Sequence, residues 1–391
     1  SMTDTKTFTQ LKIWDGARVL NADAIRVRNR QIDWIGDSAE VPDQANAVTC
    51  AGLTLLPGLI DGHVHLELNP DDAKPPDRTR PEVVPLMAER AEKMVCAGIT
   101  TARDLGGGAW YELALRDAIN ACEQVGPRLI CSGQPITSPQ GHCHFWGGQA
   151  ASLADAQDVL QRQIAHGVDL IKVMATGGRL TAGSEPTDAQ FSQADLAAIV
   201  STAHGHNLPV AAHCHGTEGI KRAALAGVNT IEHCSWVGQE GWASDYQADV
   251  ARAILDNGVW VSPTVNKGWQ RMLDSKTGHV LDRVREAYRA MLKLGIPMLA
   301  STDAGIPGVY HEDLPHALVV FANIAELSNE AALKSATSSA ANALGIADFT
   351  GNLKAGLSAD LLIVDGNPLD DLAAITRPVH VLAQGQVALA G

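Results

Sequence analysis

The chain has no CxxC pair, although it holds seven cysteines, at 50, 96, 122, 131, 143, 214 and 234. An odd, scattered set argues against a disulfide framework and fits a reducing cytoplasm. No apolar run is long enough to span a bilayer. Ser1 to Gln10 is polar and lacks the apolar segment of a secretory signal. Positive charge is also short, with a formal net charge of −14. That argues against broad attraction to nucleic acid or to acidic membranes. No GxGxxG follows the first strand of the chain's central part, and no tandem repeat or low-complexity tract is present. The partner that remains is a small-molecule substrate, with a homo-oligomer also open.

What is present falls into two styles. At the N-terminal end LKIWDG, AIRVRNR and QIDWIG alternate apolar and polar residues around turn signals, and at the C-terminal end ADLLIVDG and VHVLAQGQVAL do the same. Neither group has enough strands for a core of its own. One small β-sandwich built from residues 1–55 and 350–391 is expected. Between them, eight short apolar runs recur at 55–65, 99–105, 128–133, 168–178, 208–215, 228–235, 258–264 and 295–305. Amphipathic helical segments separate them, several ending at glycine. This predicts an α/β fold, a (β/α)8 TIM barrel over 56–349.

In such a barrel the active site lies at the C-terminal ends of the strands, so the polar residues ending each run line one pocket. The first run ends in His63-Val64-His65, the fifth in His213-Cys214-His215, the sixth in Glu232-His233 and the eighth in Ser301-Thr302-Asp303. Alternate residues of a strand share a face, so His63 and His65 form a competent pair of ligands for zinc or a similar ion. The fourth run, VDLIKVMATGG, places Lys172 among apolar neighbours. Burial lowers a lysine pKa and frees the neutral amine, which can add carbon dioxide. A buried ion pair, or a side chain reaching out to water, is the plainer alternative.

As a set, GLIDGHVH, the lysine of DLIKV, AAHCH, TIEHCS and STDAG resemble the metal-dependent amidohydrolases. The resemblance covers nearly the whole chain. It is strongest to the branch of imidazolonepropionase-like proteins and Xaa-Pro dipeptidase-like (prolidase-like) carboxypeptidases, with ochratoxin-hydrolysing amidohydrolases similar too. It implies two divalent metal ions, zinc being expected. His63, His65 and Asp303 would hold one, and His213 and His233 the other, bridged by carboxylated Lys172 and a hydroxide. The implied reaction is cleavage of an amide in a dipeptide or N-acyl amino acid by the bridging hydroxide, with Asp303 as proton shuttle. A lactonase, esterase or phosphotriesterase would use the same centre, and a cyclic-amide hydrolase or deaminase is a further alternative.

The substrate contacts are read from neighbouring motifs. His142 in QGHCHFWGG is the first candidate for a donor to the carbonyl oxygen, as the branch has a histidine in a similar context, and His215 is the second. Some relatives carry tyrosine at the latter position. Arg179 could meet a substrate carboxylate, or be a solvated surface arginine. Trp146 could wall the pocket, or pack in the core. Strand alternation makes Glu232 point away from His233, as a structural residue. His204 and His206 are not expected to be ligands, and His311 is a weaker candidate for the pocket.

Overall fold

Strand and helix alternate through the middle of the chain. In the computed structural model, which describes residues 4–275 and 278–391, parallel strands Leu59–Val64, Ile99–Asp104 and Arg128–Cys131 form one sheet. Strands Ile171–Met174, Val210–Gly216, Thr230–Val237 and Trp260–Ser262 form another. Every residue of Val210–Gly216 and Thr230–Val237 is buried, as happens when helices cover both faces of a parallel sheet. The helices carry the expected signals. Ser152 accepts the Asp155 N–H at the start of Leu153–His166, which ends on Gly167 at φ 83°. Ser192 caps Gln193–Gly205 in the same way, and that helix buries Leu196, Ile199, Val200 and Ala203 at helical spacing.

Isolated parallel bridges join the two sheets. Ile136 pairs with Val173 at one seam; at the other, Val261 pairs with Met298 and Val64 with Ala304. The pairings therefore lead from the first strand round to residues 298–304 and back. A strand is expected over that last stretch, yet among the described residues it makes bridges only. The reason is local. The Thr302 N–H is taken by the Asp61 carboxylate at 3.1 Å, and Asp303 sits at φ 62°. Together the diverted N–H and the left-handed turn leave this stretch without a regular ladder.

The chain ends form two further sheets, the first from N-terminal strands alone and the second from both ends. One contains Thr5–Thr9, Ala24–Arg28, Gln31–Gly36 and Val48–Thr49. The other interleaves Lys12–Ile13 and Leu53–Pro57 with Leu361–Asp365, Pro378–Ala383 and Gln386–Leu389. Phe8, Ile25 and Leu55 pack with Leu361, Ile363 and Leu382 in one apolar cluster. Of the polar opening Ser1 to Gln10, the first three residues lie outside the described residues, and Thr5–Thr9 is a strand. All seven cysteines are free thiols. No helix among the described residues is long and apolar enough to cross a membrane.

Register decides which side chains meet. Lys172 pairs with Ala211, Met174 with His213, and His213 with Glu232. Paired residues of neighbouring strands share a face, so Lys172, His213 and Glu232 all point to one side. Strict alternation would turn His233 to the other side. Instead the register shifts beside it, and His233 and Cys234 take φ values of 70° and 52°. The broken alternation brings both Glu232 and His233 to the same interior.

Candidate active site

A cavity of about 690 Å³ opens at the C-terminal ends of the parallel strands. It is lined by His63, His65, Lys172, His213, His233 and Asp303, together with His142, His215 and Arg179. Two groups of ligand atoms, His63 with His65 and Asp303, and His213 with His215 and His233, each lie within 4.8 Å of one another.

The ring protons show what these imidazoles are arranged to do. His63 Nδ1 lies 2.9 Å from the Glu232 carboxylate, which can only accept, so its proton sits on Nδ1. His65 Nδ1 lies 3.1 Å from the Gly106 carbonyl, with the same consequence. His233 Nδ1 lies 2.7 Å from the Thr264 hydroxyl, whose own proton goes to the Pro263 carbonyl at 2.7 Å. His213 reverses the pattern, with Nε2 at 2.9 Å from the Gly177 carbonyl. All four rings thus turn a bare lone pair away from their acceptors and into the cavity. At one point the His63 and His65 Nε2 atoms are 3.2 Å apart, and Asp303 Oδ1 is 3.1 and 3.2 Å from them. Three acceptors converging this closely, with no proton left for them to share, fit a cation.

Burial reinforces the arrangement. It lowers the His213 and His233 pKa values well below the ordinary range, which keeps both rings neutral. Lys172 is 1% exposed, and among the described residues its Nζ hydrogen-bonds only the Leu105 carbonyl, at a long 3.5 Å. Burial lowers its pKa against the opposing charges of Glu232 and Asp303. Its amine is therefore poised toward the neutral, nucleophilic form.

The profile of the amidohydrolase family matches residues 54–388. The chain belongs to the amidohydrolase family. As a member it is a hydrolase acting on carbon–nitrogen bonds. It is 28% identical to the ochratoxinase of Aspergillus niger, over 95% of this chain and 84% of that protein. It is 24% identical to the imidazolonepropionase of Mesorhizobium japonicum, over 91% and 92% of the two chains. Among solved structures, a Xaa-Pro dipeptidase with methionine bound in its active site superposes with a TM-score of 0.84 at 26% identity, over 98% of this chain and 99% of that one.

Within this amidohydrolase, several sequence expectations need correction. Trp146 does not line the cavity; it is buried behind His65, with ring centroids 5.0 Å apart. Cys143 at φ 55° starts the short turn His144–Trp146, which swings Phe145 to the cavity instead. Glu232 is not remote from the site, since it holds His63. It also accepts from Arg103 at 2.9 Å and from the Thr230 hydroxyl at 2.6 Å. Arg179 does line the cavity, its guanidinium 5.5 Å from the Trp242 ring centre. His204 bonds Asn229 on the surface, away from the cavity. His311 supports the site from behind, through the His65 carbonyl at 2.8 Å. Thr264 was legible in principle as the residue ending the seventh run, SPT. Trp242, from a loop, and Trp269, at the end of the short turn Lys267–Trp269, wall the mouth and carry no readable sequence signal.

Proposed function

We propose that this amidohydrolase cleaves the amide bond of an N-acyl amino acid or dipeptide at a binuclear metal centre. The observation that carries the reading is the convergence of four imidazole lone pairs with Asp303 and a buried Lys172 in one cavity. His63, His65 and Asp303 would hold one cation, and His213 and His233 the other. Lys172, its neutral amine carboxylated by carbon dioxide with loss of a proton, would supply the bridging anion. Two such cations, zinc being the expected metal, would lower the pKa of a water nucleophile and polarise the scissile carbonyl.

The chain's own groups do the rest. Asp303 takes the proton of the attacking water and delivers it to the leaving amine. His142, neutral because burial lowers its pKa to about 3, donates to the carbonyl oxygen. His215 is brought to about 3 by burial as well, and its ring stacks 4.4 Å from His233. It packs against the second ligand group and faces the substrate. Arg179 meets the substrate carboxylate. Phe145, Trp242, Trp269 and Ile306 offer apolar walls for the acyl group. Seven free thiols suit a cytoplasmic enzyme that acts on a small molecule, a homo-oligomer remaining open.

The test is a screen of the metal-loaded enzyme against dipeptides, N-acyl amino acids, lactones and phosphotriesters. Turnover of N-acyl amino acids is expected to exceed that of the esters; a clear preference for esters over every amide overturns the reading. Arg179→Met is expected to raise KM about tenfold or more for substrates with a free carboxylate, and to leave the matching carboxamides unaffected. The estimate takes a charge-assisted pair as worth about 1.5–3 kcal/mol.

A further inference from the structure

We infer that Thr181 is a positioning residue that fixes His142 as the Nε2–H tautomer, so that the ring meets the scissile carbonyl as a hydrogen-bond donor. The inference rests on the hydrolytic reading above. It starts from the loop that follows the Lys172 strand. Thr181 is buried, 4% exposed, and its hydroxyl has two close neighbours. The Cys143 backbone N–H donates to it at 2.8 Å, and His142 Nδ1 lies 3.1 Å away. The first of these can only be a donor. The hydroxyl's own proton then needs an acceptor, because a buried hydroxyl proton left unpaired carries a desolvation penalty. Among the described residues the only strong acceptor in reach is His142 Nδ1; a thiol such as that of Cys143 is a weak one. With Nδ1 accepting, a neutral imidazole must carry its proton on Nε2.

This sets His142 apart from the four rings around it. His63, His65 and His233 give their Nδ1 proton to an acceptor, and His213 gives its Nε2 proton to one; each turns a lone pair to the cavity. His142 has a donor behind it, so it turns a proton to the cavity. Its ring lies 4.3 Å from that of His213, beside the ligands without joining either group. The ring is also confined. A Cβ at Gly178 would fall 2.5 Å from His142 Cε1, so this glycine is required for the ring to sit where it does. The His142 backbone N–H is held at 2.9 Å by the Gln190 side chain, which in turn donates to the Met174 carbonyl at 2.7 Å. One hydroxyl thus couples the loop after the fourth strand to the protonation pattern of a ring from the loop after the third.

The experiment compares Thr181→Val, Thr181→Ser and wild type in the metal-loaded enzyme, on the best amide substrate found by the screen. Valine keeps the shape and removes the proton donor. It is expected to lower kcat about a hundredfold, the cost of losing one carbonyl-oxygen donor, with KM and bound metal little changed. Serine restores the hydroxyl and is expected to recover most of kcat. A second pair does not depend on how well the valine variant folds. His142→Gln carries an amide N–H near the position of Nε2, and His142→Asn carries one near Nδ1. Glutamine is expected to retain more kcat than asparagine. Wild-type kcat in Thr181→Val, or equal activity of the His142→Gln and His142→Asn variants, overturns the tautomer assignment. If wild type turns over no amide at all, the hydrolytic reading fails instead, so the two failures are distinguishable.

Discussion

Lys172→Ala is expected to lose bound metal and about a thousandfold or more in kcat/KM. The physical reason is the absence of any other use for this side chain. A buried ammonium normally needs a carboxylate partner and several hydrogen bonds. Lys172 has one long contact, to the Leu105 carbonyl at 3.5 Å. Of its charged neighbours, Glu232 is already engaged by Arg103, Thr230 and His63, and Asp303 turns Oδ1 toward the Nε2 atoms of His63 and His65. As a structural lysine it would be a poor investment of buried charge. As the proposed bridging anion it would complete a site that otherwise gathers imidazoles around one carboxylate. Losing that anion removes charge balance for two dications, and a metal-derived nucleophile is worth several kcal/mol, with each 1.36 kcal/mol equal to tenfold in rate. Metal analysis and steady-state kinetics check the result, and added acetate or propionate is expected to restore part of both. Thermal melting of the metal-free proteins gives a separate check. The alanine variant is expected to melt no lower than wild type, because the removed amine had almost no partners. An alanine variant that keeps two metals and full turnover would show Lys172 to be only a buried lysine.

The sequence carried the positions of these residues because strand ends and alternation are local properties. HVH closes the first strand, AHCH and the lysine of DLIKV lie within theirs, and a period of two places them on one face without reference to anything distant. What it could not carry depends on backbone irregularity or on long-range partners. Glu232 should oppose His233 by alternation, and does not, because two left-handed residues follow it. Its partner His63 is 169 residues away. Trp146 packs behind His65 and its neighbour Phe145 lines the cavity, because Cys143 opens their turn at positive φ. The stretch over 298–304 reads as a strand from its apolar run, yet Asp303 leaves the ladder so that its carboxylate can reach both histidines. The departures cluster at the site, where holding side chains in a functional geometry outweighs local regularity.

Glu232→Gln is the change that tests how the site is held. Glu232 Oε1 accepts the His63 Nδ1 proton at 2.9 Å, while Oε2 accepts from Arg103 at 2.9 Å and from Thr230 at 2.6 Å. A carboxylate can accept on both oxygens; an amide cannot. If the amide oxygen faces Arg103, its NH2 confronts His63 Nδ1, which must then accept and move its proton to Nε2, the atom that would face the proposed cation. If the NH2 faces Arg103, two donors collide and a guanidinium is left buried without its countercharge. The first outcome is expected to weaken metal binding about 10–100-fold, and the second to cost about 3–5 kcal/mol of stability. Chelator competition and denaturant unfolding separate them. The pH dependence follows from the same pair. Burial alone would raise the Glu232 pKa, but the Arg103 charge and the His63 hydrogen bond bring it down to about 2. A carboxyl depressed on folding adds stability that is fully present above its unfolded pKa, about 4.3, and is lost as pH falls toward the folded value. The stability lead of wild type over Glu232→Gln is therefore expected to be constant from pH 8 to 5 and to shrink steadily below about 4. A lead that stays flat down to pH 2 would mean that the carboxylate is not held by Arg103 and His63 in solution.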